Sequence, residues 1–232
     1  MAKVGLLVIA TGKYDQFIPV LYKSMKKHFL NNHDVSMFVF TDQEMPNKED
    51  IVALPHQHEP WPNPTLKRYH VFDKYKEELS KMDYLYYCDA DMRFESEVGD
   101  EILPTQDFVL VATEHPGFFG GRRGTYETRI ESTAYVSENE GECYFAGGFN
   151  GGTADAFLKM SATIKERIDK DLEKGIIAIW HDESQINRYL IDNKPKTLNP
   201  SYCFPEYWLN DSSNRFEPKL IAIVKNHNEI RN

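Results

Sequence analysis

Cysteine is scarce in this sequence. Cys88, Cys143 and Cys203 are odd in number and widely spaced, which supports neither a disulfide framework nor a zinc knuckle. The set implies a reduced, cytoplasmic protein in which the sequon Asn210-Asp211-Ser212 stays idle. Long apolar runs are missing as well. The longest, Val4 to Ala10, falls far short of the ~18 residues a membrane helix needs, so no membrane span is expected. Lys3 with that run mimics the start of a signal peptide, but no small-residue cleavage site follows and Thr11-Gly12-Lys13 reads as a turn. Positive charge is in deficit: Lys and Arg number 27 against 36 Asp and Glu, a net charge of −9. Such a surface repels polyphosphate and excludes nucleic-acid binding through a broad basic face. Any anionic substrate must be met by a local cation or metal. Internal repeats and low-complexity segments are absent.

What is present is ample for a core. The 232 residues are 41% hydrophobic and 13% aromatic, which suits one domain and rules out a disordered or collagen-like chain. Val4 to Ala10 reads as a fully buried strand. Phe17, Leu21, Met25 and Phe29 recur every four residues and predict a helix. Val35 to Phe40 and Ile51 to Leu54 read as further strands. After Pro60-Trp61-Pro62-Asn63-Pro64, the residues Leu66, Tyr69, Phe72, Leu79 and Met82 predict one helix, and Tyr84 to Cys88 is an aromatic strand. Strand and helix thus alternate through residues 1–95, the pattern of a parallel sheet with helices on both faces, which binds ligands at the carboxyl ends of its strands. The remainder, 96–232, is less regular. Phe108 to Thr113 and Cys143 to Phe149 read as strands around a Gly- and Arg-rich loop at 115–130. A long helix over 154–174 places Phe157, Ile164, Ile168 and Leu172 inward. A second carries Ile186, Tyr189 and Leu190, and Lys219 to Val224 is a late strand before the tail. No linker separates the halves.

Asp89-Ala90-Asp91 is the sharpest chemical signal. In extended chain, residues i and i+2 face the same side. Two carboxylates there make a hard oxygen site for Mg²⁺ or Mn²⁺ with positions left for phosphate oxygens; the competing reading is a turn capped by Asp side chains. Asp169-Lys170-Asp171 has the same spacing inside a helix, where the side chains diverge, and is set aside. In His181-Asp182-Glu183, Asp182 with Gln185 fits a capping box, while the alternative is a carboxylate pair aimed at sugar hydroxyls. Trp180 beside it either stacks on a sugar face or joins the core. Gly147-Gly148-Phe149-Asn150-Gly151-Gly152 lacks the Gly-Lys-Ser/Thr of a phosphate loop and reads as a ligand-approach segment or a bulge before a helix. Lys225, His227 and Arg231 form either a solvated end or a cationic group that closes over a diphosphate. His56 and His58 have no third ligand at zinc-type spacing and read as a surface pair.

Taken together these segments resemble glycosyltransferase family 6, the group of the ABO blood-group and α-1,3-galactosyltransferases. The resemblance covers nearly the whole chain. It rests on Ile9-Ala10-Thr11-Gly12-Lys13-Tyr14, Val39-Phe40-Thr41-Asp42-Gln43, Asp83-Tyr84-Leu85 with Asp89-Ala90-Asp91-Met92, and His115-Pro116-Gly117-Phe118. Ala134-Tyr135, Glu140-Gly141, Gly147-Gly148-Phe149, Trp180-His181-Asp182-Glu183-Ser184, Lys225-Asn226-His227 and Arg231-Asn232 complete it. It implies a GT-A fold, a mixed and mostly parallel sheet flanked by helices, with a nucleotide-binding half at 1–95 and an acceptor half with its tail at 96–232. It implies retaining transfer of α-GalNAc or α-galactose from a UDP-sugar to the 3-OH of a galactoside, fucosylated or plain.

By matching position, Ile9, Ala10 and Tyr14 would line the uracil and ribose pocket, and Arg68 and Asp182 would contact donor. Asp89 and Asp91, with Ala90 between them, would hold Mn²⁺ or Mg²⁺ on the diphosphate. Gly147 adjoins Ala146 and Gly148, which would gauge the donor's C2 substituent; both are small, which favours GalNAc. His115, Thr125, Trp180 and His227 would face the acceptor, Lys225 and Arg231 would fold over the phosphates, and Glu183 would be the catalytic carboxylate. The missing anchor points to a bacterial or phage type. Retention of both aspartates, where many bacterial members carry Asn, predicts metal dependence. Pro205 and Glu206 fall near the place of an acidic acceptor-reading residue, which leaves the acceptor open. Two other functions compete. A metal-dependent UDP-sugar hydrolase or pyrophosphatase would use the same aspartates, and a non-catalytic carbohydrate-binding module would work through Trp61, Trp180 or Trp208.

Overall fold

The computed structural model describes residues 1–46, 48–226 and 229–230. Among these residues, ten strands and six α-helices follow in order: β1 Lys3–Ile9, α1 Ile18–His28, β2 Asp34–Thr41, β3 Ile51–Pro55, α2 Asn63–Leu66, α3 Arg68–Lys74 and α4 Lys76–Leu79. Next come β4 Tyr84–Cys88, β5 Met92–Phe94, β6 Leu110–Glu114, β7 Phe145–Thr153, α5 Ala154–Glu173, α6 His181–Asp192, β8 Lys196–Leu198, β9 Phe204–Pro205 and β10 Leu220–Ala222. A seven-stranded sheet has the order β3-β2-β1-β4-β7-β6-β8. Every neighbouring pair is parallel except those made by β7, which runs against both β4 and β6. This is the mixed, mostly parallel α/β architecture of a GT-A fold.

The sheet forms because β1 alternates its burial between two apolar layers, as period-2 geometry requires. Val4, Leu6 and Val8 pack with Leu21 and Met25 of α1, and with Phe29 just after it, on one face. Leu7 and Ile9 pack with Phe72 of α3 and Phe157, Ile164 and Ile168 of α5 on the other. A second sheet, β5-β10-β9, pairs Met92–Phe94 antiparallel with Leu220–Ala222.

Four expectations need correction. The single helix predicted over Leu66 to Met82 is three short ones. Its apolar spacing correctly marks the buried face, but the backbone leaves the helical region at Lys67 and Tyr75, where the Tyr75 ring turns onto Phe40 at 5.6 Å. Leu172 ends α5 on its outer side, 36% exposed. The strand predicted over Cys143 to Phe149 lies instead at Phe145–Thr153 and runs through all four glycines. Packing accounts for this: a Cβ on Gly151 would sit 2.4 Å from the Tyr86 ring and 2.5 Å from the Leu85 carbonyl. Finally, Asp182 and Gln185 form no capping box. Ser184 closes the entry to α6 by accepting from the Trp180 N–H at 3.0 Å.

Candidate active site

A cavity of about 430 Å³ opens where β1 and β4 end. The first strand and the turn after it supply Ile9, Thr11 and Tyr14. The loop and helices before β4 supply His58, Trp61, Pro64, Thr65 and Arg68. Tyr87 and Asp89-Ala90-Asp91 close one wall, Gly147 and Gly148 another, and Trp180 to Glu183 a third, with Lys225 and Ile230 over the opening.

Local backbone chemistry explains why these segments converge. The Asp89 N–H donates to the Gly148 carbonyl at 2.9 Å, which extends the β4–β7 ladder and sets the glycines beside the carboxylate. Asn187 on α6 imitates a strand partner. Its side-chain oxygen accepts from the Phe145 N–H at 2.8 Å and its amide donates to the Phe145 carbonyl at 2.9 Å, which locks α6 against the start of β7. His181 then turns the chain with φ +52°, a left-handed conformation uncommon for a residue with a Cβ and often found at functional sites. Its ring stands edge-on to Trp61 at 5.2 Å.

Arg68 is the electrostatic centre. It is 5% exposed and touches three walls. One amino group donates to the Gly147 carbonyl at 2.7 Å, the other reaches Asp89 at 3.4 Å, and Nε lies 3.1 Å from Asp182. Its guanidinium carbon sits 3.9 Å from the centre of the Tyr87 ring, and the Tyr87 hydroxyl donates to Asp89 at 2.5 Å. Burial opposes the Arg68 charge, but Asp182 and Asp89 hold it firmly protonated.

Asp182 is 1% exposed. Among the described residues neither of its carboxylate oxygens accepts a side-chain hydrogen bond, although Arg68 pairs with it in charge. Burial first, then the charges of Asp89 and Glu183, push its carboxyl up to about 7 against the pull of Arg68. A buried carboxylate whose oxygens accept no hydrogen bond among the described residues is chemically suited to ligand hydroxyls, since leaving it unsatisfied is costly. Glu183 differs. Its Oε2 accepts from the Gly147 N–H at 2.8 Å and its Oε1 from the Tyr144 hydroxyl at 2.9 Å. Burial raises its carboxyl, and these two donors hold it back.

At the end of β4, burial and the like charge of Asp89 raise the Asp91 carboxyl, while the Lys225 ammonium in contact with it pulls it down. Lys225 is carried there by the small sheet, where the Ile223 N–H donates to the Asp91 carbonyl at 2.9 Å. No group of three or more His, Cys, Asp or Glu suited to a metal occurs among the described residues. Two repelling carboxylates nevertheless form a hard oxygen set that suits a divalent cation whose other ligands come from a diphosphate.

The cavity thus gathers Ile9, Tyr14, Arg68, Asp89, Ala90, Asp91, Gly147, Gly148, Trp180, Asp182, Glu183 and Lys225. Ala10 does not join them: it is fully buried in the core beneath. Ala146 is 3% exposed and off the lining. His115 and Thr125 meet instead around Tyr144, next to the cavity. The His115 ring lies 5.7 Å from the Tyr144 ring, and Thr125 accepts from the Trp180 indole at 2.6 Å. Trp180 is 48% exposed, so it is a wall and not core. Trp208 stacks on Phe216 instead. Glu206 is occupied by Arg93 at 2.6 Å and the Val224 N–H at 2.8 Å. His227 and Arg231 lie outside the described residues.

A family model described as glycosyltransferase family 6 matches residues 1–232. This chain belongs to glycosyltransferase family 6. It is 34% identical over 242 residues to the histo-blood group ABO system transferase 1 of Rattus norvegicus, covering 99% of this chain and 68% of that protein. It is 30% identical to the globoside alpha-1,3-N-acetylgalactosaminyltransferase 1 of Gallus gallus, covering 99% and 69%. The O-antigen biosynthesis glycosyltransferase WbnI of Escherichia coli shares 28% identity over 208 residues, covering 88% of each. Membership makes this family 6 protein a glycosyltransferase that uses a nucleotide-sugar donor and a sugar acceptor. No helix among the described residues is long and apolar enough to cross a membrane.

Several wall residues of this glycosyltransferase escape sequence reasoning. His58, read as half of a surface pair, contacts the Thr11 hydroxyl at 3.0 Å and lines the cavity. Tyr87 and Tyr144 fall inside runs read as strands, where nothing in the residue pattern singles out their hydroxyls. The one signal for Tyr87 is its i−2 spacing from Asp89, which puts both on one side of extended chain.

Proposed function

We propose that this enzyme transfers α-GalNAc, or α-galactose, from its UDP-sugar to the 3-OH of a galactoside with retention at the anomeric carbon. The observation that carries the reading is the buried Asp182 carboxylate beside Glu183, its oxygens without a hydrogen bond among the described residues, with Arg68 joining Asp182 to Asp89. Ile9 and Tyr14 take the nucleoside, Asp182 accepts from donor-sugar hydroxyls, and Trp180, Thr125 and His115 receive the acceptor. Gly148, which lines the cavity without a side chain, supports the N-acetyl donor; Ala146 lies off the lining and adds nothing to that choice.

Asp89 and Asp91 are the residues that would hold Mn²⁺ or Mg²⁺. Such an ion, when bound, supplies Lewis-acid neutralisation of the leaving diphosphate. Lys225 adds a fixed positive charge at the same place. As the bond from C1 to the β-phosphate oxygen breaks, its electron pair leaves with UDP. The acceptor oxygen takes C1, and its proton passes to the departing phosphate. Glu183 meets the positive charge that builds at C1, either in two displacements through a glycosyl-enzyme or in one same-face transfer. Both routes need its ionised form, which the Gly147 N–H and the Tyr144 hydroxyl favour.

The test is UDP release over a panel of UDP-sugars, with and without Mn²⁺, and with plain or 2-fucosylated galactosides. Acceptor-dependent release with one UDP-hexose, lost in Glu183→Gln while UDP still binds, is expected. Equal release without any acceptor would make the protein a hydrolase. Glycan binding without release would make it a binding module.

A further inference from the structure

Resting on the reading above, we propose that Tyr144 is a positioning residue: its hydroxyl aims the Glu183 carboxylate and ties it to the acceptor wall. The ring cannot move. It is 1% exposed and meets Phe118, His115 and Tyr126 edge-on at 5.2, 5.7 and 5.0 Å. Gly124 lies flat on it, and a Cβ there would fall 2.1 Å from the ring. The hydroxyl therefore has one address, Glu183 Oε1 at 2.9 Å.

The acceptor wall stands directly behind it. An indole N–H only donates, so Trp180 donates to the Thr125 oxygen at 2.6 Å. Thr125 so engaged stands beside the Tyr144 hydroxyl and acts on it electrostatically, while Tyr144 gives its own proton to Glu183. The Tyr144 proton thus points inward, onto a carboxylate. The Gly147 N–H holds the other oxygen at 2.8 Å, so the carboxylate plane is fixed at both ends, with one lone pair of each oxygen left for the sugar. Preorganised charge of this kind acts on the transition state and little on ground-state binding. A wall residue that touches the acceptor is thus wired to the group that meets C1.

The experiment uses the full chain with UDP-GalNAc, and lactose or 2′-fucosyllactose as acceptor. Tyr144→Phe keeps the ring and removes only the hydroxyl. It is expected to lower kcat about 10- to 100-fold, with KM for UDP-GalNAc, the Kd of UDP and the melting temperature essentially unchanged. The double variant Y144F/E183Q is expected to be no slower than E183Q, because the tyrosine acts through the glutamate. Thr125→Val, which leaves the core untouched, is expected to lower kcat several-fold and answers the question even where Y144F folds poorly. Wild-type kcat in Y144F or T125V, or a loss confined to KM, would overturn the assignment while leaving the proposed function standing. Wild-type transfer by E183Q would overturn the catalytic role of Glu183 itself.

Discussion

Glu127 offers a measurable link between charge, pH and the acceptor wall. Its carboxylate is 2% exposed and accepts four hydrogen bonds. The backbone N–H and Nε of Arg129 reach Oε1, both at 2.9 Å, while Nη2 of Arg129 at 2.7 Å and the Ile179 N–H at 2.9 Å reach Oε2. Arg129 also donates to the Ile177 carbonyl at 2.6 Å. These bonds fasten the loop that carries Thr125 to the turn that presents Trp180. The Arg129 guanidinium, followed by the two backbone N–H groups, holds the carboxyl down to about 2 from 4.5 against its burial. A shift of that size carries roughly 3 kcal/mol of linkage. Arg129 is half exposed and water screens part of the attraction, which leaves about 2 kcal/mol. Glu127→Gln removes the charge and turns an N–H₂ toward a donor. The expected cost is therefore about 2 kcal/mol at pH 7. The sign follows from a depressed folded-state value: the stabilisation is complete above pH 4.5 and is lost as pH falls toward 2. Urea unfolding of both proteins at pH 7, 4.5, 3 and 2.5 should show the gap between them narrowing step by step. A gap that stays constant, or widens in acid, would refute the reasoning.

Arg68→Met should strand Asp182 and Asp89 on two facing walls of the cavity without their shared cation and destabilise by about 3–5 kcal/mol, with UDP-sugar binding lost. Adding Asp182→Asn should recover part of the stability and none of the transfer, as read by thermal melts and UDP release. Gly151→Ala should cost about 2 kcal/mol or more in thermal melts, because its Cβ would meet the Leu85 carbonyl at 2.5 Å, which cannot step aside. Treatment with a chelator should abolish transfer, and Mn²⁺ should restore it; full activity in a large excess of chelator would count against the role given to Asp89 and Asp91.

The parts of this architecture legible in sequence are those with one local cause. β1, β2 and β4 are apolar runs ended by turn residues, and their burial follows directly. Asp89 and Asp91 stood out because two like charges after an aromatic strand are costly without a task, whereas residue pattern alone left Asp182 and Glu183 between a helix cap and a pair facing sugar hydroxyls. The course of β7 was not, since four glycines read as a break until Tyr86 and Leu85 are known to lie across from them. β5, β9 and β10 are two or three residues long and have no period to detect. Asp182 and Gln185 matched a capping box in spacing, but Ser184 supplied the acceptor instead. The tyrosine hydroxyls were invisible because sequence pattern weighs the ring, while the site uses the oxygen at its tip.

Because β7 enters between β4 and β6, strands from the opening third of the chain are stitched to those from the closing half along the pairs Tyr84–Thr153 to Cys88–Phe149. A polypeptide divided in the stretch between β5 and β6 would leave β4 with a bare hydrogen-bonding rim. Two such fragments would regain catalysis only by re-knitting that seam, because Asp89 comes from one piece and Gly147, Asp182 and Glu183 from the other. The sheet is therefore a natural basis for a split reporter, in which sugar transfer would signal that the two pieces had met.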